Sequence, residues 1–239
     1  MLHAGSLIIF LITAVELWVA ADSRVIAIGT QQSDATAICK IHKLGAVFYA
    51  EAGLLKDTHG RFDAAALAEQ AAVGHPTVSG VAHAFEARVL TPLMHTVSQL
   101  RTLNPHYYHT HVRERAALQV AFFGAEGRGP RLALRRFFIH VEGPESPSAS
   151  IDRFDCPGDC TNAGTWAFLG GSEVLNRFLE ANRRYLPEHG PRATLQRLMA
   201  LEATAHPDLV SPPVDILHIG PEGPAWVQRK PSCPPLPPL

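Results

Sequence analysis

Neither sign of charge dominates this sequence: 21 Lys and Arg stand against 22 Asp and Glu. That balance gives no electrostatic reason to expect nucleic acid or an anionic membrane surface as a partner. Cysteine is scarce, and four residues in 239 are too few for a disulfide scaffold. No apolar run reaches the roughly 18 continuous residues of a membrane span; the longest, "LIIFLITAVELWVAA", is broken by Thr13 and Glu16. No internal repeat is present. What remains is ordinary for a globular chain, with 46% hydrophobic and 18% charged residues, enough for one substantial core or two small ones.

The N-terminal apolar run has two readings. A secretory signal peptide fits poorly, because no Lys or Arg precedes the run and Glu16 interrupts it. Two strands fit better: Leu7 to Ile12, a turn around Thr13 to Glu16, then Leu17 to Ala21, since short continuous apolar runs suit strands buried on both faces. Cys156 and Cys160 in "CPGDC" are spaced to bridge a tight loop, which would imply an oxidising compartment. Free thiols, or half of a zinc site lacking a second cysteine pair, are the other readings.

Along the chain, the character of the segments changes four times. Short strands bounded by glycine are expected at "ATAICKIHKLG" and "AVFYAEAG". A helix follows over "FDAAALAEQAA" with Asp63 as its cap. In the next helix Val81, Phe85, Val89, Leu93 and Val97 share a face. Pro92 is expected to kink that helix or start a new one, capped by Thr91. Strands return at "LQVAFF", "RLALRRFFIHV", "SASIDRF" and "TWAFLG". Helices follow at "SEVLNRFLEANRRYL", with Val174, Phe178 and Leu179 on one face, and at "RATLQRLMALEATA". A hairpin around "PEGP" closes the fold before a proline-rich tail expected to be extended or disordered. This order excludes a parallel doubly wound sheet. It predicts an α+β fold, a four-layer αββα sandwich of two antiparallel sheets flanked by helix pairs.

"LWVAADSR", with a Lys in "CKI" eighteen residues after its Asp, resembles the opening of a proteasome β-subunit, an N-terminal nucleophile (Ntn) hydrolase. The resemblance places Asp22, Ser23, Arg24, Lys40 and Ile41 on the family's pattern. Counting back sixteen residues from Asp22 lands on Ser6, directly after Gly5. "HAGS" thus resembles a self-processing junction with Ser in place of Thr. By the same resemblance Gly53 in "AEAG" supplies the oxyanion-hole amide. Asp208 and Ser211 in "HPDLVS" fall beside the nucleophile's amine, and Gly171 falls where a supporting Ser is usual. The resemblance covers most of the chain in element order, through motifs that are individually short.

The chemistry of such a set follows from its groups. A serine hydroxyl needs an adjacent base, and a freed α-amine with a pKa near ~7.7 to 8 is one. Lys40 as an ammonium would favour the alkoxide, with Asp22 holding it charged and oriented. The Gly53 amide would meet the oxyanion. Asp208 and Ser211 would orient the amine. While residues 1–5 stay attached there is no free amine at Ser6, so these residues read as a leader, 6–230 as a single Ntn-like domain, and 231–239 as the tail.

The expected function is cleavage of a peptide or small-amide substrate, with no cofactor, metal, nucleic acid or membrane, and with room for a homo-oligomer. The setting leans extracytoplasmic, with cytoplasmic as the alternative. An inactive sandwich serving assembly or binding is the runner-up. "NPHYYHTHVRE" raises a third reading, a metal-dependent hydrolase, since His106 and His109 would share a helix face. No carboxylate at ligand spacing completes a shell, and a solvated helix connection is the preferred reading.

Overall fold

The computed structural model describes residues 2–5, 7–28, 38–57, 60–127, 129–140, 147–161 and 164–233. The N-terminal apolar run forms two neighbouring strands, as its composition requires. β2 (Leu7–Ile12) is buried at every position, and β3 (Leu17–Ala21) at all but Trp18. The turn between them is held by Thr13, whose Oγ1 accepts the N–H groups of Val15 and Glu16 at 3.3 and 3.1 Å. β10 (Thr165–Gly170), β11 (Asp215–Gly220) and β12 (Gly223–Gln228) complete this sheet, in the order β10-β2-β3-β11-β12.

The second sheet contains β1 (Leu2–Gly5), β4 (Val25–Ile28), β5 (Ile41–Leu44), β6 (Val47–Lys56), β7 (Ala116–Glu126), β8 (Gly129–His140) and β9 (Ser148–Cys156). Its order is β4-β1-β6-β7-β8-β9, with β5 also on β6. Every pairing between these strands is antiparallel. The side-chain period of two sorts β6 between two cores. Val47 and Tyr49 join a cluster with α1 (Ala64–Ala72) and α2 (Val78–Leu103), whereas Phe48, Ala50 and Ala52 join a cluster shared with Ile8, Phe10 and Val19 of the other sheet. A third cluster joins Leu7, Ile9 and Ile216 to Leu175 of α4 (Glu173–Ala181) and to Leu195 and Leu198 of α5 (Tyr185–Ala205). The chain is thus α+β with two antiparallel sheets and helices packed on them.

Three local expectations need correction. α2 runs unbroken through Pro92. Its stripe of Val81, Phe85, Val89, Leu93 and Val97 is fully buried, and burial at about 1.5–3 kcal/mol per large side chain outweighs a proline penalty of about 3 kcal/mol. On α4 the buried residue is Leu175; Phe178 and Leu179 are only partly covered. β1 and β4 have no counterpart among the expected strands. Asp63 caps α1 as expected, accepting the Ala66 N–H at 3.1 Å.

All four cysteines are bridged. Cys156 pairs with Cys160, and Cys39 pairs with Cys233 across 194 residues. Of the proline-rich end expected to be loose, Cys233 is therefore tied down and buried, while residues 234–239 lie outside the described ones. No described helix is long and apolar enough to cross a membrane.

Candidate active site

One edge of β6 carries two partners in succession. Val47 to Ala50 pair with β5, Ile41 standing opposite Ala50; Gly53 onward pairs with β1, Gly5 standing opposite Gly53. Among the described residues no strand pairs with Glu51 and Ala52 along this edge, which leaves a gap between the two partner strands. Lys40 precedes β5 and so enters the gap from one side. Gly5 ends β1 at the other side.

Ser6 itself lies outside the described residues, but its chain neighbours are placed. Gly5 closes β1, and Leu7 opens β2 with its N–H donating to Asp22 Oδ1 at 3.1 Å. Asp22 follows β3 and is completely buried. Its second oxygen accepts the Arg24 N–H at 2.8 Å, and its first accepts the Lys40 ammonium in a buried ion pair. The two residues that sequence spacing joined are thus in direct contact.

Burial drives the Lys40 pKa down to about 8, against the pull of Asp22 and with Lys230 adding to the depression. At neutral pH Lys40 is still mostly an ammonium, poised near the titration range of an α-amine. Gly53 has φ of +94° and lies against β7 so closely that a Cβ there would stand 2.3 Å from the Ala117 carbonyl oxygen. Only glycine fits this position.

The remaining expected residues are less tightly drawn in. Ser211 meets the site through its backbone, its carbonyl accepting the Ser23 N–H at 3.1 Å. Asp208 is exposed on the turn after α5. At Gly171, directly after β10, the carboxylate of Glu202 takes up the neighbouring space, its Oε1 lying 3.7 Å from where a Cβ would be. Since Gly170 pairs with Leu7, Glu202 approaches the same end of β2. Glu202 is buried, its Oε2 has no hydrogen-bond partner among the described residues, and burial raises its pKa against the pull of His206.

Three charged groups near the site have no counterpart in the sequence reading. Asp215, Arg229 and Lys230 form an ion-paired group against Asp22, with both Asp215 and Lys230 buried. Their only signal in the sequence is that charges sit at the ends of the closing hairpin, which reads as solvent exposure. Glu51, whose backbone borders the gap, is the fourth surprise. Burial first and then Asp63 push its carboxyl up to about 8, with the Tyr49 hydroxyl pulling the other way.

His106, His109 and His111 fall on α3 (Pro105–Tyr107) and the π turn Tyr108–Val112, and all three are exposed. Among the described residues no group of three or more His, Cys, Asp or Glu is placed to hold a metal ion. A cavity of about 230 Å³ lies at the far end of β2, lined by Thr13, Arg131, Cys156 and Cys160 among others; none of the site residues borders it.

No protein-family model and no curated protein matches this chain.

Proposed function

We propose that the chain is the precursor of an Ntn-type amidohydrolase with Ser6 as nucleophile. The observation that carries this reading is the gap on β6: Gly5 stands opposite Gly53 on one side of it, Lys40 directly precedes β5 on the other side and pairs with Asp22, and Asp22 also anchors Leu7. The three apolar clusters support a four-layer αββα arrangement of the Ntn type.

In this reading the leader already sits as a substrate would. β1 is a strand between β4 and β6, so the leader is held as an extended peptide as far as Gly5, whose carbonyl is the scissile one in this reading. The Ser6 hydroxyl oxygen attacks the Gly5 carbonyl, the Gly5–Ser6 amide breaks as an ester forms, and the proton passes to the departing nitrogen. Water then hydrolyses the ester, leaving Gly5 as a carboxylate and Ser6 with a free amine. That amine serves as base for later substrates, peptide or small amide. Lys40 lowers the cost of the alkoxide, and the Gly53 amide meets the oxyanion. The two disulfides support an oxidising, extracytoplasmic setting.

The exposed position of Asp208 favours the second reading, an inactive sandwich used in assembly or binding. Intact mass and N-terminal sequence of the protein and of Ser6→Ala decide between them. A mature chain beginning at Ser6, with the variant keeping its leader, is the expected result. A wild type that retains residues 1–5 in its mature form overturns the hydrolase reading.

A further inference from the structure

The C-terminal end of the described chain reaches into the Asp22–Lys40 pair. Lys230, two residues beyond β12, is buried. Its Nζ donates to the backbone carbonyls of Asp22 at 2.8 Å and Ile38 at 2.7 Å, and stands 3.4 Å from Asp215 Oδ2. Asp215 in turn accepts the Lys230 N–H at 2.7 Å and Arg229 Nη1 at 3.0 Å. The two carbonyls belong to the two segments that carry the proposed chemistry: one is that of Asp22 itself, the other lies two residues before Lys40.

Between Ile38 and Lys40 stands Cys39, bridged to Cys233 with the Cα atoms 5.6 Å apart. Residues 230–233 are therefore fixed twice, by the contacts of Lys230 and by a covalent bond to the residue next to Lys40. A buried ammonium costs several kcal/mol in desolvation and persists only where its donors and charge are met. Lys230 meets that condition by joining three chain segments that are far apart in sequence.

We propose that Lys230 is a positioning residue for the Asp22–Lys40 pair and that the Cys39–Cys233 bond holds it there, so that the site is intact only while this bond is oxidised. A dithiol reductant would deliver two electrons and two protons, converting the bridge to two thiols and becoming a disulfide itself. Releasing the segment withdraws Lys230 from the Asp22 and Ile38 carbonyls and admits water beside Lys40. The effect on catalysis rests on the hydrolase reading; the effect on Lys40 does not.

The test follows Lys40 directly, by the pH dependence of its 13Cε shift in 13C-lysine-labelled protein, assigned by difference from Lys40→Arg. Wild type should titrate near its value of about 8. Lys230→Met, the double variant Cys39→Ser/Cys233→Ser, and wild type treated with a dithiol should each titrate higher, as a like charge leaves and solvent enters. Lys230→Arg should keep the wild-type titration. In the same samples, kcat for processing or hydrolysis should fall tenfold or more in Lys230→Met with a smaller change in KM, and Lys230→Arg should recover most of it. Folded Lys230→Met or bridge-free protein that titrates Lys40 at the wild-type pH overturns the proposal. Should Lys230→Met fail to fold, the bridge-free and reduced proteins decide it on the same measurement. A shifted Lys40 titration with no hydrolysis in any form, wild type included, supports the positioning role and removes the hydrolase reading.

Discussion

Gly53 and Ala117 are packed so that a Cβ on the glycine would lie 2.3 Å from the alanine carbonyl oxygen, in a backbone conformation with φ of +94°. Gly53→Ala should therefore destabilise the fold by about 2–4 kcal/mol, through strain and a clash with backbone that cannot rotate away. Gly45 also has positive φ, +63°, but no described atom stands within 4 Å of its Cβ position, so Gly45→Ala should cost only the backbone strain of about 1–2 kcal/mol. Urea unfolding of both variants checks the contrast, and equal costs would contradict it.

Asp22→Asn should remove the charge that Lys40 needs while keeping the size of the side chain. Lys40 is 2% exposed, and breaking a buried pair by neutralising one member costs about 3–5 kcal/mol. The loss should appear as a lower denaturation midpoint at pH 7. It should shrink above pH 8, where Lys40 no longer needs to carry its proton.

Glu51 gives the fold a pH dependence of the opposite kind to ordinary acid denaturation. Its folded pKa is raised from 4.5 to about 8 by burial, so between these values the native state holds a proton that the unfolded state has released. Stability therefore falls as pH rises through this window. Glu51→Gln mimics the protonated form and should abolish that slope, leaving the variant more stable than wild type at pH 9 by about 1–3 kcal/mol. Thermal unfolding from pH 5 to pH 9 reads it directly.

Glu86 on α2 carries the acid-sensitive contact. Burial works against its charge, but hydrogen bonds from Arg153 and then Arg135 outweigh burial and hold the carboxyl below its usual range. Stability from this group is present above the usual glutamate pKa and is lost as pH falls through the lower folded value. Arg135 is completely buried and also bonds Asp155 Oδ1 at 2.6 Å. Glu86→Ala should cost about 3–5 kcal/mol at pH 7, and that cost should shrink as pH falls through the lowered folded value and the wild-type carboxyl takes up its proton.

Much of this architecture is legible in the residues because it rests on local pattern. The runs Leu7–Ile12 and Leu17–Ala21 are apolar at every position that the two flanking cores cover, and Asp63 caps α1 because its side chain is short enough to reach Ala66. Asp22 and Lys40 are legible through one spacing. The rest depends on contacts between segments with no local mark. β1 is only four residues long and exists as a strand through pairing on both sides. Lys230 looks like a solvated charge beside prolines until Asp215 and the carbonyls of Asp22 and Ile38 are brought around it. Cys39 and Cys233 are 194 residues apart, and no spacing rule reaches so far. Pro92 misleads because helix propensity is judged locally, while the stripe that keeps α2 whole is buried by the sheet.

The Cys39–Cys233 bond also acts on a state that none of these contacts describe. With 194 residues between its ends, it makes most of the denatured chain a ring. In the chain-entropy account, closing a loop of that size removes enough freedom from the unfolded ensemble to favour the native state by about 5 kcal/mol. A reducing environment would therefore loosen the whole molecule by enlarging what it can unfold into, even with every native contact unchanged.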